Sequence, residues 1–179
     1  LRSQTLIISG AHRSGTSLCA DLLQQAGVHV GERLLGPAAG NRHGHFEDHD
    51  FFALHERALR RQGRDFLLET VDGLDGFDAD EAAEAARLIA ARSQRPLWGW
   101  KDPRTALFLA DWDRRVPDAY WFFVYRHPLD VVLSLLRRAT DLQIAVDPMR
   151  GVRVWEAFNG AILAFVRRRG ERCVLLPLS

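Results

Sequence analysis

Short apolar runs alternate with amphipathic stretches along this chain. Thr5 to Ser9 is a β-branched, apolar run that ends at Gly10 and reads as a buried strand. Ser17 to Ala26 then places apolar residues at helical spacing, with Leu18, Leu22 and Leu23 on one face and Gly27 as the C-cap. From Val28 to His45, glycines and Pro37 interrupt any period, which predicts a long loop. Phe46 to Arg61 is helical again, and Arg64 to Phe77 is turn-rich. Asp78 to Arg92 has the clearest helix signature: Asp78 as N-cap, Glu81 completing a capping box, and alanines in the middle. Pro96 to Lys101 reads as a short strand, after which Asp102 and Pro103 read as an N-cap and a proline at the first helical position. Tyr120 to Tyr125 is apolar enough for a strand buried on both faces. Pro128 opens a helix that runs through Arg138. Arg150 to Arg169 forms a long amphipathic helix with Val154, Phe158, Ile162 and Phe165 along one face, and Arg172 to Leu176 is a last strand. Strands that alternate with helices and are apolar throughout predict an α/β fold, a three-layer parallel sheet with helices on both faces.

Composition narrows the function classes. With 179 residues, 47% of them hydrophobic and 26% charged, the chain is neither disordered nor collagen-like, and its length suits one domain. The longest unbroken apolar run, Ala119 to Tyr125, is far too short to span a membrane, and no signal-peptide pattern opens the chain. The 24 basic and 23 acidic side chains leave a net charge of +1, so nothing demands a nucleic-acid or membrane partner. All but one of those basic residues are arginine, which makes Lys101 conspicuous. Cys19 and Cys173 do not make a disulfide framework and read as small hydrophobes in a reducing, cytoplasmic setting. The start at Leu1 and the stop at Ser179 read as cut ends, which makes residues 1–179 a single domain truncated at its C-terminus.

Candidate chemistry begins right after the first strand. Gly10-Ala11-His12-Arg13-Ser14-Gly15-Thr16-Ser17 lies between a strand and a helix, where a phosphate-binding loop belongs. Backbone N–H groups of such a loop converge on an anion, the helix adds its dipole, and Arg13, Ser14, Thr16 and Ser17 add charge and hydroxyls. The spacing follows the nucleotide-binding pattern G-x-x-x-x-G-K-[ST], except that Thr16 replaces the lysine that ATPases and kinases use on the β- and γ-phosphates. The segment R-S-G-T-S resembles the 5′-phosphosulfate loop of the sulfotransferases, which use 3′-phosphoadenosine 5′-phosphosulfate. The resemblance implies a P-loop-type fold in which His12, Arg13, Ser14, Gly15, Thr16 and Ser17 bind that co-substrate.

A second constellation fits the same family. Arg126 ends a predicted strand, Pro128 opens the next helix, and Ser134 follows Arg126 by eight residues. Ligands bind at the carboxyl ends of parallel strands, and a guanidinium fork suits a phosphate. By resemblance, Arg126 and Ser134 hold the 3′-phosphate. Lys101-Asp102-Pro103 resembles the tyrosylprotein and bacterial carbohydrate-type sulfotransferases, which implies that Lys101 contacts the transferring sulfuryl group or the leaving oxygen. An ammonium there offsets the charge that grows on the leaving phosphate. Asn41-Arg42-His43-Gly44-His45-Phe46-Glu47-Asp48 resembles the N-x-x-G-[YF]-[FW]-E-D stretch of bacterial members, which implies that Glu47 is the base; Glu32 and His45 are the competing bases, and Arg13 joins Lys101 and Glu47 as catalytic.

Other features bound the reading. His43, His45, Asp48 and His49 spell H-x-H-x-x-D-H, one residue too long for the metal motif of metallo-β-lactamase-like hydrolases, so no catalytic metal is expected. Trp155, Phe158 and Asn159 resemble the late helix of bacterial sulfotransferases, and at that spacing the aromatics read as core. Arg167-Arg168-Arg169 reads as a dipole-complementing helix end. The R-K-G-x-x-G and R-Y-E-D-L segments of relatives are absent. The leading expectation is sulfuryl transfer to a small-molecule, carbohydrate or peptide acceptor. An atypical P-loop kinase and a non-catalytic nucleotide-binding module are the alternatives.

Overall fold

The computed structural model describes residues 3–36, 44–138 and 142–178. Four strands, β1 (Gln4–Ser9), β2 (Leu97–Lys101), β3 (Tyr120–Arg126) and β4 (Cys173–Leu178), form one sheet in the order β2-β1-β3-β4. Every pairing is parallel, and Ile8 lies opposite Lys101 on one side and Phe122 on the other. The carboxyl ends of β1, β2 and β3 therefore finish at one edge. The chain leaves β1 for β2 and returns past it to β3, so the connections diverge there and open a crevice.

Side-chain alternation divides the core in two. Ile7, Trp98, Trp100, Trp121 and Phe123 point to one face and pack with α2 (His49–Arg61), α4 (Leu109–Arg115), α5 (Pro128–Arg138) and α7 (Pro148–Arg169). Phe51 stacks on Trp100 at 4.4 Å, and Trp100 meets Trp112 at 4.6 Å. Ile8 and Val124 point the other way, against Ala20 of α1 (Thr16–Gln25) and against Val28 and Val30. The expected three-layer α/β architecture with a parallel sheet is the observed one. The α3 helix (Ala79–Arg92) carries the expected capping box between Asp78 and Glu81.

Four expectations change. Tyr120 to Tyr125 is not buried on both faces: Tyr120 and Tyr125, the first and the last of that run, are exposed, as are Val174 and Leu175 of the edge strand β4. On α1, Leu18 and Leu22 face solvent, and Ala20 and Leu23 make the contact with the sheet. The helix expected from Phe46 starts at His49, because Phe46 adopts a left-handed φ of 59° and the Asp48 side chain accepts from Asp50 N–H as the cap. The segment after α1 is more than a loop: His29 pairs with Trp98 along the outer edge of β2, and Leu34 pairs with Asp48. Residues 37–43 of that expected loop lie outside the described residues. Two short helices, α4 and α6 (Leu142–Val146), had no sequence signal long enough to predict them.

Candidate active site

Most of the sequence-predicted residues meet in one cleft at the carboxyl ends of the strands. It encloses about 430 Å³ and is lined by His12, Arg13, Gly15, Thr16 and Ser17 from the loop and the start of α1, and by His45, Glu47, Lys101, Arg126 and Ser134 from elsewhere. Pro103 and Phe46 add apolar wall.

The glycine loop joins β1 to α1, between a strand and a helix as expected. Gly15 sits at the N-cap of α1 with φ 93°, and a Cβ there would lie 2.2 Å from Leu178. No side chain caps α1, so its first N–H groups stand at the cleft without a side-chain acceptor. Arg13 also has positive φ, at 66°, and with Phe46 it is the only non-glycine of this kind among the described residues. Both line the cleft, where backbone strain is most often retained for a use. The Ser14 hydroxyl is buried with no hydrogen-bond partner, which leaves a donor that a phosphate or sulfate oxygen could satisfy. Arg13 Nε donates to Ser134 Oγ at 3.0 Å, which joins the glycine loop to the second constellation. Arg126 is anchored by its carbonyl, which accepts from Trp155 Nε1 at 2.9 Å, and Asp130 lies 3.8 Å from its Nε. Trp155, expected only as packing, thus also fixes this strand end. His12 packs edge-on against Phe66 and Phe158.

At the centre stands a buried ion pair. Lys101 Nζ donates to Glu47 Oε1 at 2.6 Å, to the His45 carbonyl at 2.7 Å and to Ser17 Oγ at 3.2 Å. Those three acceptors use all three donors of the ammonium. Lys101 is 2% exposed and Glu47 5%. Burial pushes the Lys101 amine below and the Glu47 carboxyl above their usual ranges, and the pairing opposes both shifts. Glu47 Oε2 has no hydrogen-bond partner, and His45 Nδ1 lies 3.9 Å from it. Of the three expected bases, Glu47 and His45 line this cleft. Glu32 does not: it is held by His29 at 3.1 Å and Arg95 at 3.6 Å beside the outer edge of β2.

Each member of the pair is followed by a fully buried aspartate. Asp48 caps α2, accepts from Glu32 N–H at 2.8 Å, and is held by Arg92 of α3 at 3.1 Å. Asp102 caps the 3₁₀ turn Pro103–Leu107 and accepts from Arg104 N–H at 2.8 Å and from Arg104 Nη1 at 3.1 Å. Arg104 and His55 hold the Asp102 carboxyl well below the usual carboxylate range. The sequence pattern had offered Asp102 only as a cap and gave no sign of Arg92, Arg104 or His55, whose partners are distant in the chain. Among the described residues no group of three His, Cys, Asp or Glu side chains could hold a metal, and His43 of the histidine-rich stretch lies outside them. No helix among the described residues is long and apolar enough to cross a membrane.

No family model and no curated protein matches the chain. Among solved structures, it superposes on the sulfotransferase domain of the Synechococcus PCC 7002 olefin synthase at TM-score 0.54 and 20% identity, over 98% of this chain and 66% of that one. The sulfotransferase domain from the curacin biosynthetic pathway matches at TM-score 0.55 and 18% identity, over 99% of this chain and 67% of that one. The chain has the fold of a sulfotransferase domain. It spans about two thirds of the length of the sulfotransferase domains that it matches.

The pair makes a stability prediction within this sulfotransferase fold. Lys101→Met strands a buried carboxylate and is expected to lower unfolding stability by about 3–5 kcal/mol at neutral pH. Lys101→Met with Glu47→Leu removes both charges and is expected to recover most of that loss, measured by urea denaturation. A double variant no more stable than the single one contradicts the ion-pair assignment.

Proposed function

We propose that this protein is a sulfotransferase that moves a sulfuryl group from 3′-phosphoadenosine 5′-phosphosulfate to a hydroxyl or amine acceptor. The observation that carries this reading is that the sole lysine, paired with a buried glutamate, adjoins both the glycine loop and the Arg13–Ser134 link in one cleft.

In this reading the loop from His12 to Ser17 holds the 5′-phosphosulfate with its amide groups and the α1 dipole. Arg126 and Ser134 hold the 3′-phosphate, and Arg13, bonded to Ser134, spans the two sites. The acceptor enters past Phe46 and Pro103, which line the same cleft. Its oxygen or nitrogen attacks sulfur in line with the bridging phosphate oxygen. The new bond to sulfur forms as the bridging S–O bond breaks, and that electron pair leaves on the phosphate. Lys101 turns one donor from Ser17 Oγ, its longest contact at 3.2 Å, to the leaving oxygen. Glu47 Oε2, which accepts no hydrogen bond, takes the acceptor proton. The positive field comes from Lys101, Arg13, Arg126 and the loop amides. A small molecule, a carbohydrate or a peptide can supply the acceptor group.

Calorimetry tests the ligand. One equivalent of 3′-phosphoadenosine 5′-phosphate is expected to bind, and ATP to bind far more weakly. Tight ATP binding with no response to the 3′,5′-bisphosphate overturns the reading in favour of a kinase.

The pH profile tests the roles. Glu47 works deprotonated, so the rate rises with pH through a pKa that burial has raised above the usual carboxylate range. Lys101 works protonated, so the rate falls at alkaline pH through a pKa that burial has lowered below the usual lysine value. The expected bell is therefore narrower than free side chains would give. Glu47→Gln is expected to slow transfer by about 10²–10⁴-fold and to erase the acidic limb. An acidic limb unchanged in that variant assigns the base elsewhere.

A further inference from the structure

His55 lies outside the cleft and takes no part in the chemistry above, yet both of its ring nitrogens have hydrogen-bond partners. It sits mid-helix on α2, fully buried, with its ring stacked on Phe108 at 5.7 Å and 11° and edge-on to Trp112 at 5.6 Å. Trp112 Nε1 donates to His55 Nε2 at 2.9 Å. An indole nitrogen only donates, so Nε2 carries no proton and the ring proton stands on Nδ1. Nδ1 in turn donates to Asp102 Oδ2 at 3.0 Å. The relay Trp112 to His55 to Asp102 thus has one direction and one tautomer.

The two oxygens of Asp102 divide the labour. Oδ1 does the capping and meets Arg104, while Oδ2 takes the His55 proton. Capping the 3₁₀ turn therefore does not need His55. What His55 adds is a second fixed point that stops the carboxylate from turning about its own bonds. That carboxylate belongs to the residue after Lys101, and its backbone N–H is bound to the Ile8 carbonyl at 3.2 Å. Its charge supports the protonated form of Lys101 and the basicity of Glu47.

We propose that His55 is a positioning residue that holds Lys101 on Glu47 by locking the Asp102 carboxylate from behind. The charged groups that act on Lys101 are Glu47, Asp102 and Arg104, and Arg13, Asp21, His45 and Arg126 line the same cleft. Burial works against the ammonium, so an Asp102 carboxylate that turns away from Lys101 leaves burial less opposed. The catalytic consequence rests on the sulfotransferase reading. The effect on Lys101 does not.

The chain's single lysine makes the test direct, because lysine labelled with ¹⁵N at Nζ gives one side-chain ammonium signal from the whole protein. Two variants separate the donor from the ring. His55→Asn keeps an N–H able to reach Asp102 and loses the ring, whereas His55→Phe keeps the ring and loses the donor. The expected result is that Lys101 follows the donor. In His55→Asn its titration midpoint stays at the wild-type value. In His55→Phe the midpoint falls, the ammonium protons exchange about ten times faster with water, and sulfuryl transfer slows about ten- to a hundredfold in kcat with the donor KM unchanged. A wild-type midpoint in His55→Phe, or an equal fall in both variants, overturns the proposal. The wild-type protein supplies a test that needs no variant to fold: ¹⁵N-histidine spectra are expected to show Nδ1 protonated and Nε2 bare, and the opposite tautomer overturns the relay. Failure of sulfuryl transfer in the wild type with the Lys101 shifts intact removes the sulfotransferase reading and leaves the positioning role standing.

Discussion

Two opposite charges, Lys101 Nζ and Glu47 Oε1, meet at 2.6 Å where almost no water reaches. Taking each out of solvent costs several kcal/mol, and close pairing repays that only when the remaining donors and lone pairs are also satisfied. The fold meets this constraint for the ammonium from three directions, and leaves Glu47 Oε2 without a hydrogen-bond donor. Ser17 comes from the first turn of α1, His45 and Glu47 from the segment before α2, and Lys101 from the end of β2. Behind the pair, Asp48 with Arg92 and Asp102 with Arg104 anchor the two backbones. A charge pair this enclosed is weak evidence for stability and better evidence for use, since apolar residues of similar volume would fill the space at less cost.

The same arrangement explains where the chain tolerates strain. Arg13 and Phe46 both hold left-handed backbone conformations at the cleft wall. The turn at Phe46 lets Glu47 face Lys101 while Asp48, one residue on, faces Arg92 and starts a helix. The helix begins at His49, where the extended Asp48 caps it, and the left-handed Phe46 stands outside it. The Arg13–Ser134 contact brings together residues 121 apart in sequence and joins the glycine loop to the second constellation.

Much of this was legible in the sequence because local rules carried it. Parallel strands announced themselves as short apolar runs, the α3 capping box by Asp78 and Glu81, and the loop by its glycines. Lys101 stood out by residue count alone. The pairing of Lys101 with Glu47 was not legible, because it joins positions 54 apart through tertiary packing. Arg92, Arg104 and His55 were hidden for the same reason: one arginine among many and one histidine on an apolar helix face carry no local sign of their partners. The exposed Leu18 and Leu22 of α1 show the limit from the other side, since periodicity marks an apolar stripe but not whether anything covers it.

The central claim is that the enclosed lysine is the working end of a cleft for a 3′,5′-nucleotide. The most direct measurement is the single Lys101 ammonium signal of ¹⁵N-lysine-labelled protein, followed while 3′-phosphoadenosine 5′-phosphate is added. The account predicts that the signal moves in a saturable way and stops at one equivalent, as a donor leaves Ser17 for the 5′-phosphate. A signal that stays in place while the nucleotide saturates the protein would contradict it.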